Sequence, residues 1–280
     1  MKVLVTGGAG FVGSHLVKKL NDQNFEIYII DNLSNSVKNN FLDKNIFINK
    51  SISDYKLINK TVKKVDIVFH LAAQVELQSS IIDPSYTMYN NIYGSSNIIK
   101  SCVEHNKKLI FASSCSVYPL NYKIPIKEIN QTPASSPYAL SKITVEKLIN
   151  FYVKNHNLKA VNLRFFNIYG PNQNTNSNYS AVIPTFIKLA KKNKILKLNG
   201  GGKQKRDFIH VNDVVDLYTK MIYSKKLGTF NVGTGNAISI NSLAKKIIKI
   251  TRRGKIENYP GLKADAVYSC ANIEKAIKYF

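Results

Sequence analysis

Cysteine, arginine and carboxylates are scarce in this chain of 280 residues, and it contains no long apolar run. The three cysteines, Cys102, Cys115 and Cys270, are scattered without a Cys-x-x-Cys pair. That spacing argues against a disulfide framework and fits a reducing compartment. Nothing approaches the ~18 apolar residues of a membrane span. The first apolar strand leads straight into a glycine-rich loop, without the basic start, apolar stretch and cleavage site of a secretory signal. A cytoplasmic protein with no membrane contact and no metal site is therefore expected. Of 40 basic residues only Arg164, Arg206, Arg252 and Arg253 are arginines, and the formal net charge is +23. Lysine pairs such as Lys18-Lys19, Lys63-Lys64 and Lys107-Lys108 are spread along the chain rather than gathered in a block. A solvated basic surface is expected rather than a nucleic-acid groove. Such a field also suits an anionic small-molecule ligand.

What is present is organised around the first fourteen residues. Lys2-Val3-Leu4-Val5 reads as a buried strand and runs into Thr6-Gly7-Gly8-Ala9-Gly10-Phe11-Val12-Gly13-Ser14. Glycines at 7, 10 and 13 allow a sharp turn, a close backbone approach to a ligand, and packing of a helix on the sheet. The helix start offers N–H groups and a positive dipole end, which predicts a pyrophosphate there. A second apolar run, Ile27-Tyr28-Ile29-Ile30, ends in Asp31. A carboxylate at that point would bond both ribose hydroxyls and repel a 2′-phosphate, so NAD is expected rather than NADP.

Strands and helices then alternate. Strands are predicted near Ile46–Ile48, Val65–His70, Lys108–Ala112 and Lys159–Arg164. Helices are predicted over Asp54–Val62, Ser85–Glu104 and Pro137–Asn155. This rhythm predicts an α/β fold with a doubly wound parallel sheet. The Asn/Ser-rich loop at Asn172–Asn178 marks a boundary. Residues 1–170 are expected to form a dinucleotide-binding domain and 171–280 a smaller mixed α/β lobe, with about 207–232 packing back on the first. Ligands of such sheets bind beyond the carboxyl ends of the strands. His70-Leu71-Ala72-Ala73, Ser113-Ser114 and Asn167 fall there. His70 is expected to be structural, because no second histidine is near and Asp66 lies toward the other end of the strand.

Tyr138 and Lys142 are four apart, on one face of a helix. For a phenol of pKa ~10 to act as a base at neutral pH needs about 4 kcal/mol. An ammonium about 4 Å away supplies roughly that at an effective dielectric near 20. The Ser113-Ser114 hydroxyls, just upstream, are expected to hold a substrate oxygen beside the phenol.

At this point the chain resembles the extended short-chain dehydrogenase/reductase family, and within it the nucleotide-sugar 4-epimerases. Beyond the glycine loop, the resemblance rests on Asp31-Asn32-Leu33, His70-Leu71-Ala72-Ala73-Gln74, Ser113-Ser114-Cys115-Ser116-Val117-Tyr118 and Ser136-Pro137-Tyr138-x-x-Ser141-Lys142. It continues through Arg164-Phe165-Phe166-Asn167-Ile168-Tyr169-Gly170-Pro171, Arg206-Asp207-Phe208-Ile209-His210-Val211-x-Asp213 and Asn231-Val232-Gly233-Thr234-Gly235. It implies a Rossmann domain with a smaller substrate lobe, and Ser114, Tyr138 and Lys142 as catalytic residues. For NAD it implies Gly7, Gly10, Phe11, Val12, Gly13, Asp31, Asn32, Ser51, Ile52, Leu71, Ala72, Ala73, Asn91, Tyr138, Lys142 and Phe165. For the sugar nucleotide it implies Ser114, Asn167, Val182, Arg206, Asp265 and Ser269, with Arg206 clamping diphosphate. A homodimer through the helices near Ser85–Glu104 and Pro137–Asn155 is also implied.

The resemblance has departures. Dehydratases of the family carry an Asp-Glu pair just after the catalytic threonine, where this chain has Cys115 and Ser116, which points to epimerisation. Ser269 is small where a bulky residue would exclude a 2-acetamido group, so N-acetylhexosamines are expected to be accepted. The family's carboxyl-terminal arginine is replaced by Leu262 with Lys263 adjacent, and Ser51 stands where relatives often carry Asp. The chain stops at Ile277-Lys278-Tyr279-Phe280 where relatives run on for another helix, which implies a minimal lobe or a missing end. Two other functions stay open beside the 4-epimerase: a nucleotide-sugar oxidoreductase releasing NADH, and a non-catalytic RNA-binding member of the fold.

Overall fold

A computed structural model describes residues 1–35, 44–119, 124–129, 134–174, 181–261 and 268–280. The chain begins β1 (Lys2–Thr6), α1 (Phe11–Asp22), β2 (Glu26–Asp31), β3 (Ile46–Asn49), α2 (Tyr55–Lys63) and β4 (Ile67–His70). It goes on through α3 (Leu77–Ile82), α4 (Pro84–Met88), α5 (Gly94–Glu104), β5 (Lys108–Ser114), α6 (Pro137–His156), β6 (Ala160–Phe165) and β7 (Asn167–Tyr169). Then follow α7 (Val182–Lys191), β8 (Ile195–Asn199), β9 (Lys205–His210), α8 (Val211–Tyr223), β10 (Gly228–Val232) and β11 (Ala237–Ser239). The chain closes with α9 (Ile240–Thr251), β12 (Lys255–Tyr259), β13 (Tyr268–Ser269) and α10 (Glu274–Tyr279).

The main sheet has seven strands in the order β10-β6-β5-β4-β1-β2-β3, and every pairing in it is parallel. The predicted doubly wound α/β fold is the observed one. Alternation along a strand with both faces covered explains the unbroken apolar runs. On β1, Val3 and Val5 pack into one core with Leu16, Val17 and Tyr218. Leu4 between them packs into the other with Ile58, Ile98 and Val145. The chain reverses its winding between β1 and β4, and the crevice there opens at the carboxyl ends of the strands.

After β7 the chain builds a smaller lobe, in which α7 and α9 cover β8 through Phe186, Leu196, Leu198, Leu243 and Ile247. It returns to the main sheet at β10, which pairs with β6. Lys19 of α1 and Asp216 of α8 meet at 2.7 Å. Asp207 is fully buried where lobe and sheet join. Its carboxylate accepts hydrogen bonds from the N–H groups of Thr234, Gly235 and Ala271 and from the Thr234 hydroxyl.

The helix predicted over Ser85–Glu104 is found as unbroken helical backbone from Pro84 to Glu104. The short helix α3 precedes it, and the chain breaks between the two at Asp83, whose side chain caps α4 with Pro84 at its first position. A π-helical turn, Tyr89–Tyr93, then joins α4 to α5. The planned break reflects capping chemistry; apolar periodicity carries no signal for the wider turn.

Asp207→Ala leaves four donors without their acceptor, and is expected to lower the unfolding free energy by at least ~3 kcal/mol. Thermal or denaturant unfolding measures this directly; Asp207→Asn, which keeps one carbonyl oxygen, should lose less.

Candidate functional site

At the crevice, twelve residues nominated for the cofactor line one cleft of about 440 Å³: Gly7, Gly10, Phe11, Val12, Gly13, Asp31, Asn32, Ser51, Ile52, Leu71, Ala72 and Ala73. The glycines have physical causes here. A Cβ on Gly13 would sit 2.1 Å from the Gly7 carbonyl oxygen, and one on Gly7, whose φ is +71°, would sit 2.7 Å from the Ala72 nitrogen. No side chain caps α1 at Gly10, so the first-turn N–H groups remain for an anion. The Asp31 carboxylate accepts from the N–H of Ala9 at 2.9 Å and of Leu33 at 2.8 Å. It is thereby held at the end of β2 with lone pairs left over for a ligand's hydroxyls. Ser51 accepts from the Ser53 hydroxyl at 2.9 Å. A narrow backbone cradle, an uncapped helix start and a fixed carboxylate suit an adenine dinucleotide.

Four nominated cofactor residues do not line this cleft. Asn91 is buried in the π-helical turn, where it accepts from Gln74 N–H and donates to the Gln74 carbonyl and Ser141 hydroxyl. It braces the segment after β4. Phe165 is buried against Tyr218. Tyr138 and Lys142 stand on α6, beside the end of β5. Lys50, Glu76, Gln173 and Asn174 do line the cleft and were not nominated; they lie on irregular loops or element ends, where spacing carries no signal.

Helix α6 starts at Ser136, whose hydroxyl caps Ala139 N–H at 3.1 Å, followed by Pro137. It ends at Asn157 in the left-handed region, so both ends are specified by residue type. The Tyr138 phenol faces the Ser114 hydroxyl, and Ser114 accepts from Ser116 N–H at 3.2 Å. Lys142 is buried; its Nζ donates to the Ala112 carbonyl at 2.8 Å and lies 5.8 Å from the centre of the Tyr138 ring.

Two expectations about this group are corrected. The Ser113 hydroxyl does not face the phenol but donates to Glu146; neighbouring strand residues point to opposite faces. Nor is the phenol lowered by Lys142. Burial pushes the Tyr138 phenol up to about 12, with the Ser114 hydrogen bond pulling the other way. Burial likewise pulls Lys142 down to about 7, with Glu146 opposing it. An amine one turn away lowers a phenol only while it is charged, and desolvation removes part of that charge from Lys142. His70, as expected, is structural. It is fully buried between the hydroxyls of Thr6 and Ser95, and burial lowers it to about 3.

Of the nominated sugar-nucleotide residues, Asn167, Val182 and Arg206 line a second cavity of about 250 Å³ with Lys197, Asn199 and Gln204. Asn167 donates to the Asp207 carbonyl at 3.0 Å, which ties the cavity to the joint between lobe and sheet. Ser269 lies on β13, in register with Arg206 on the adjacent strand, and does not line that cavity. Asp265, Leu262 and Lys263 lie outside the described residues, as does most of the loop predicted at the domain boundary. Among the described residues, no group of His, Cys, Asp and Glu could hold a metal ion and no helix is long and apolar enough to cross a membrane.

Residues 3–233 match the model of the NAD dependent epimerase/dehydratase family. The chain belongs to that family. A Methanocaldococcus jannaschii protein, provisionally described as a UDP-glucose 4-epimerase, is 37% identical over 244 residues, 86% of this chain and 79% of its own. Human dTDP-D-glucose 4,6-dehydratase is 32% identical over 271 residues, 92% and 76% of the two chains. The solved UDP-N-acetylglucosamine 4-epimerase of Methanobrevibacter ruminantium, in complex with UDP-N-acetylmuramic acid, superposes with a TM-score of 0.95 at 34% identity, covering 99% of this chain and 91% of that one. As a family member the protein is an NAD-dependent enzyme of the epimerase/dehydratase type, and the cleft's residues fit that cofactor.

Asp31→Ala should weaken NAD binding about 10- to 100-fold, the loss of one or two charge-assisted hydrogen bonds, and should narrow the preference over NADP. Titration of both dinucleotides against wild type and variant checks it; unchanged affinities would remove Asp31 from the site.

Proposed function

We propose that this protein is a nucleotide-sugar 4-epimerase acting on a UDP-hexose or UDP-N-acetylhexosamine. The observation that carries the reading is the pairing of Ser114 and Tyr138 beside Lys142, followed at once by Cys115 and Ser116. The first three are the groups needed to take a proton from a sugar hydroxyl and return it. The next two lack what elimination of water needs, because burial holds the Cys115 thiol up at about 11 and a serine hydroxyl is no general acid at neutral pH.

In this reading Tyr138 takes the proton of the 4-hydroxyl, and Ser114 holds the same oxygen. Bound NAD supplies a hydride acceptor and donor at C4 and added positive charge near the phenol. The sugar turns over as the 4-ketose before Tyr138 returns the proton, so C4 inverts with no net redox change. Arg206 and Asn167, with Val182, receive the diphosphate end of the substrate, and Asp265 and Ser269 are further proposed contacts to the sugar nucleotide. A small Ser269 leaves space for a 2-acetamido group. The chain is proposed to work as a homodimer. Support for that comes from exposed Tyr86, Tyr89, Tyr93, Leu140 and Phe151 on α4, the π-helical turn and α6, an apolar face of the kind subunits cover.

The purified protein incubated with NAD and either UDP-glucose or UDP-N-acetylglucosamine is expected to yield the C4 epimer without accumulating NADH, resolved by chromatography and absorbance. Tyr138→Phe is expected to lose about 10²- to 10⁴-fold in rate. Accumulating NADH would identify a net oxidoreductase, and an unchanged Tyr138→Phe rate would exclude the phenol as base.

A further inference from the structure

Tyr138, Lys142 and Glu146 follow one another at single-turn intervals on α6, and each meets one of three consecutive residues at the end of β5. Tyr138 faces Ser114, Lys142 donates to the Ala112 carbonyl, and Glu146 accepts from the Ser113 hydroxyl. Glu146 has no access to either cavity; its side chain is 1% exposed. Both its oxygens accept from Arg164 of β6, at 2.9 Å from Nε and 2.6 Å from Nη2. Arg164 in turn donates to the Tyr118 hydroxyl and the Glu128 carbonyl.

We propose that Glu146 is a positioning residue, whose carboxylate, one turn along α6 from Lys142 and bonded to Ser113, seats the Lys142 ammonium beside Tyr138. The inference rests on Tyr138 and Lys142 acting as proposed above. Few groups compete with it. On α6 itself Lys142 faces Tyr138 and Glu146. From β4 it faces His70, which burial keeps neutral, and after β5 Cys115 is held as the thiol. Arg164 on β6, with Tyr118 behind it, stands beyond Glu146. Glu146 is the anion that opposes burial at Lys142. A carboxylate needed only to neutralise Arg164 could be replaced along with it, since a buried ion pair is often exchangeable for uncharged residues at little cost. A carboxylate that also holds Lys142 charged could not.

The test is the pH dependence of kcat and KM for wild type, Glu146→Gln, Glu146→Asp and the double variant Glu146→Gln/Arg164→Met, with thermal melts for folding. Lys142 acts when protonated, so activity falls as pH rises through its pKa. Without the Glu146 charge that fall is expected a unit or more lower, in the single and the double variant alike. At neutral pH kcat should drop about tenfold while KM changes less than threefold, and Glu146→Asp should keep the wild-type profile. Glu146→Gln strands a buried guanidinium and can fail to fold; the double variant strands no charge and carries the test alone. A folded double variant whose profile overlays wild type assigns Glu146 to Arg164 only and overturns the inference. Tyr138→Phe and Lys142→Met at wild-type rates would instead overturn the reading of the site, and the inference with it.

Discussion

The seating of α6 across the end of β5 is the contact on which the candidate site depends. Apolar packing by Val145 and Ile149 presses the helix to the sheet, but apolar contact is non-directional and would tolerate a small slide or rotation. The buried Glu146–Arg164 pair does not. Desolvating two charges costs several kcal/mol each, and is offset only where geometry and further hydrogen bonds are good. Here the Arg164 fork reaches Glu146, Tyr118 and the Glu128 carbonyl together, and the Tyr118 hydroxyl donates a hydrogen bond to the Asn231 side-chain oxygen on β10. Strands β5, β6 and β10 and helix α6 are thereby locked in one register, which brings the Tyr138 and Ser114 hydroxyls together.

The cofactor cleft depends on a different constraint, the approach of one backbone to another. With Gly13 against Gly7, and Gly7 against Ala72, no side chain fits between loop, helix and the end of β4. Such a constraint is legible in a sequence because only one residue type satisfies it. The same holds for the strands, whose apolar runs show burial on both faces, and for α6, bounded by Ser136-Pro137 and Asn157. Asp31 was legible for a related reason: it ends an apolar run at a fixed interval from the loop.

What escaped the sequence is whatever depends on burial or on contacts between distant elements. Tyr138 and Lys142 are recognisable by spacing, yet their protonation is set by desolvation, which spacing does not report. Arg164 stood in a recognised motif, but nothing in one dimension pairs it with Glu146 rather than with a ligand. Asp207 was likewise part of a motif, while its role as acceptor for three backbone N–H groups needed the folded chain. Ser113 differs: strand alternation alone separates it from Ser114, so that distinction was present in the sequence and passed over. The break at Asp83-Pro84 was readable from its residues, and the π-helical turn was not.

Similarity to epimerases and dehydratases at comparable identity follows from shared chemistry rather than from ambiguity in the fold. On the reading proposed above, 4-epimerisation and dehydration both open with oxidation at C4 of a nucleotide-linked sugar, so both use the same dinucleotide cleft and a phenol beside a strand-end hydroxyl. Those demands occupy most of the sheet and α6, and they dominate any whole-chain comparison. Elimination adds an acid and a base for C5 and C6, and the family resemblance implies that they stand just after the catalytic hydroxyl. On the reading proposed above, the half-buried Cys115 thiol and Ser116 in those places keep the first step and leave the second without its proton carriers. On the proposed reading, the choice between the two reactions rests on Cys115 and Ser116, the residues that follow Ser114 at the end of β5.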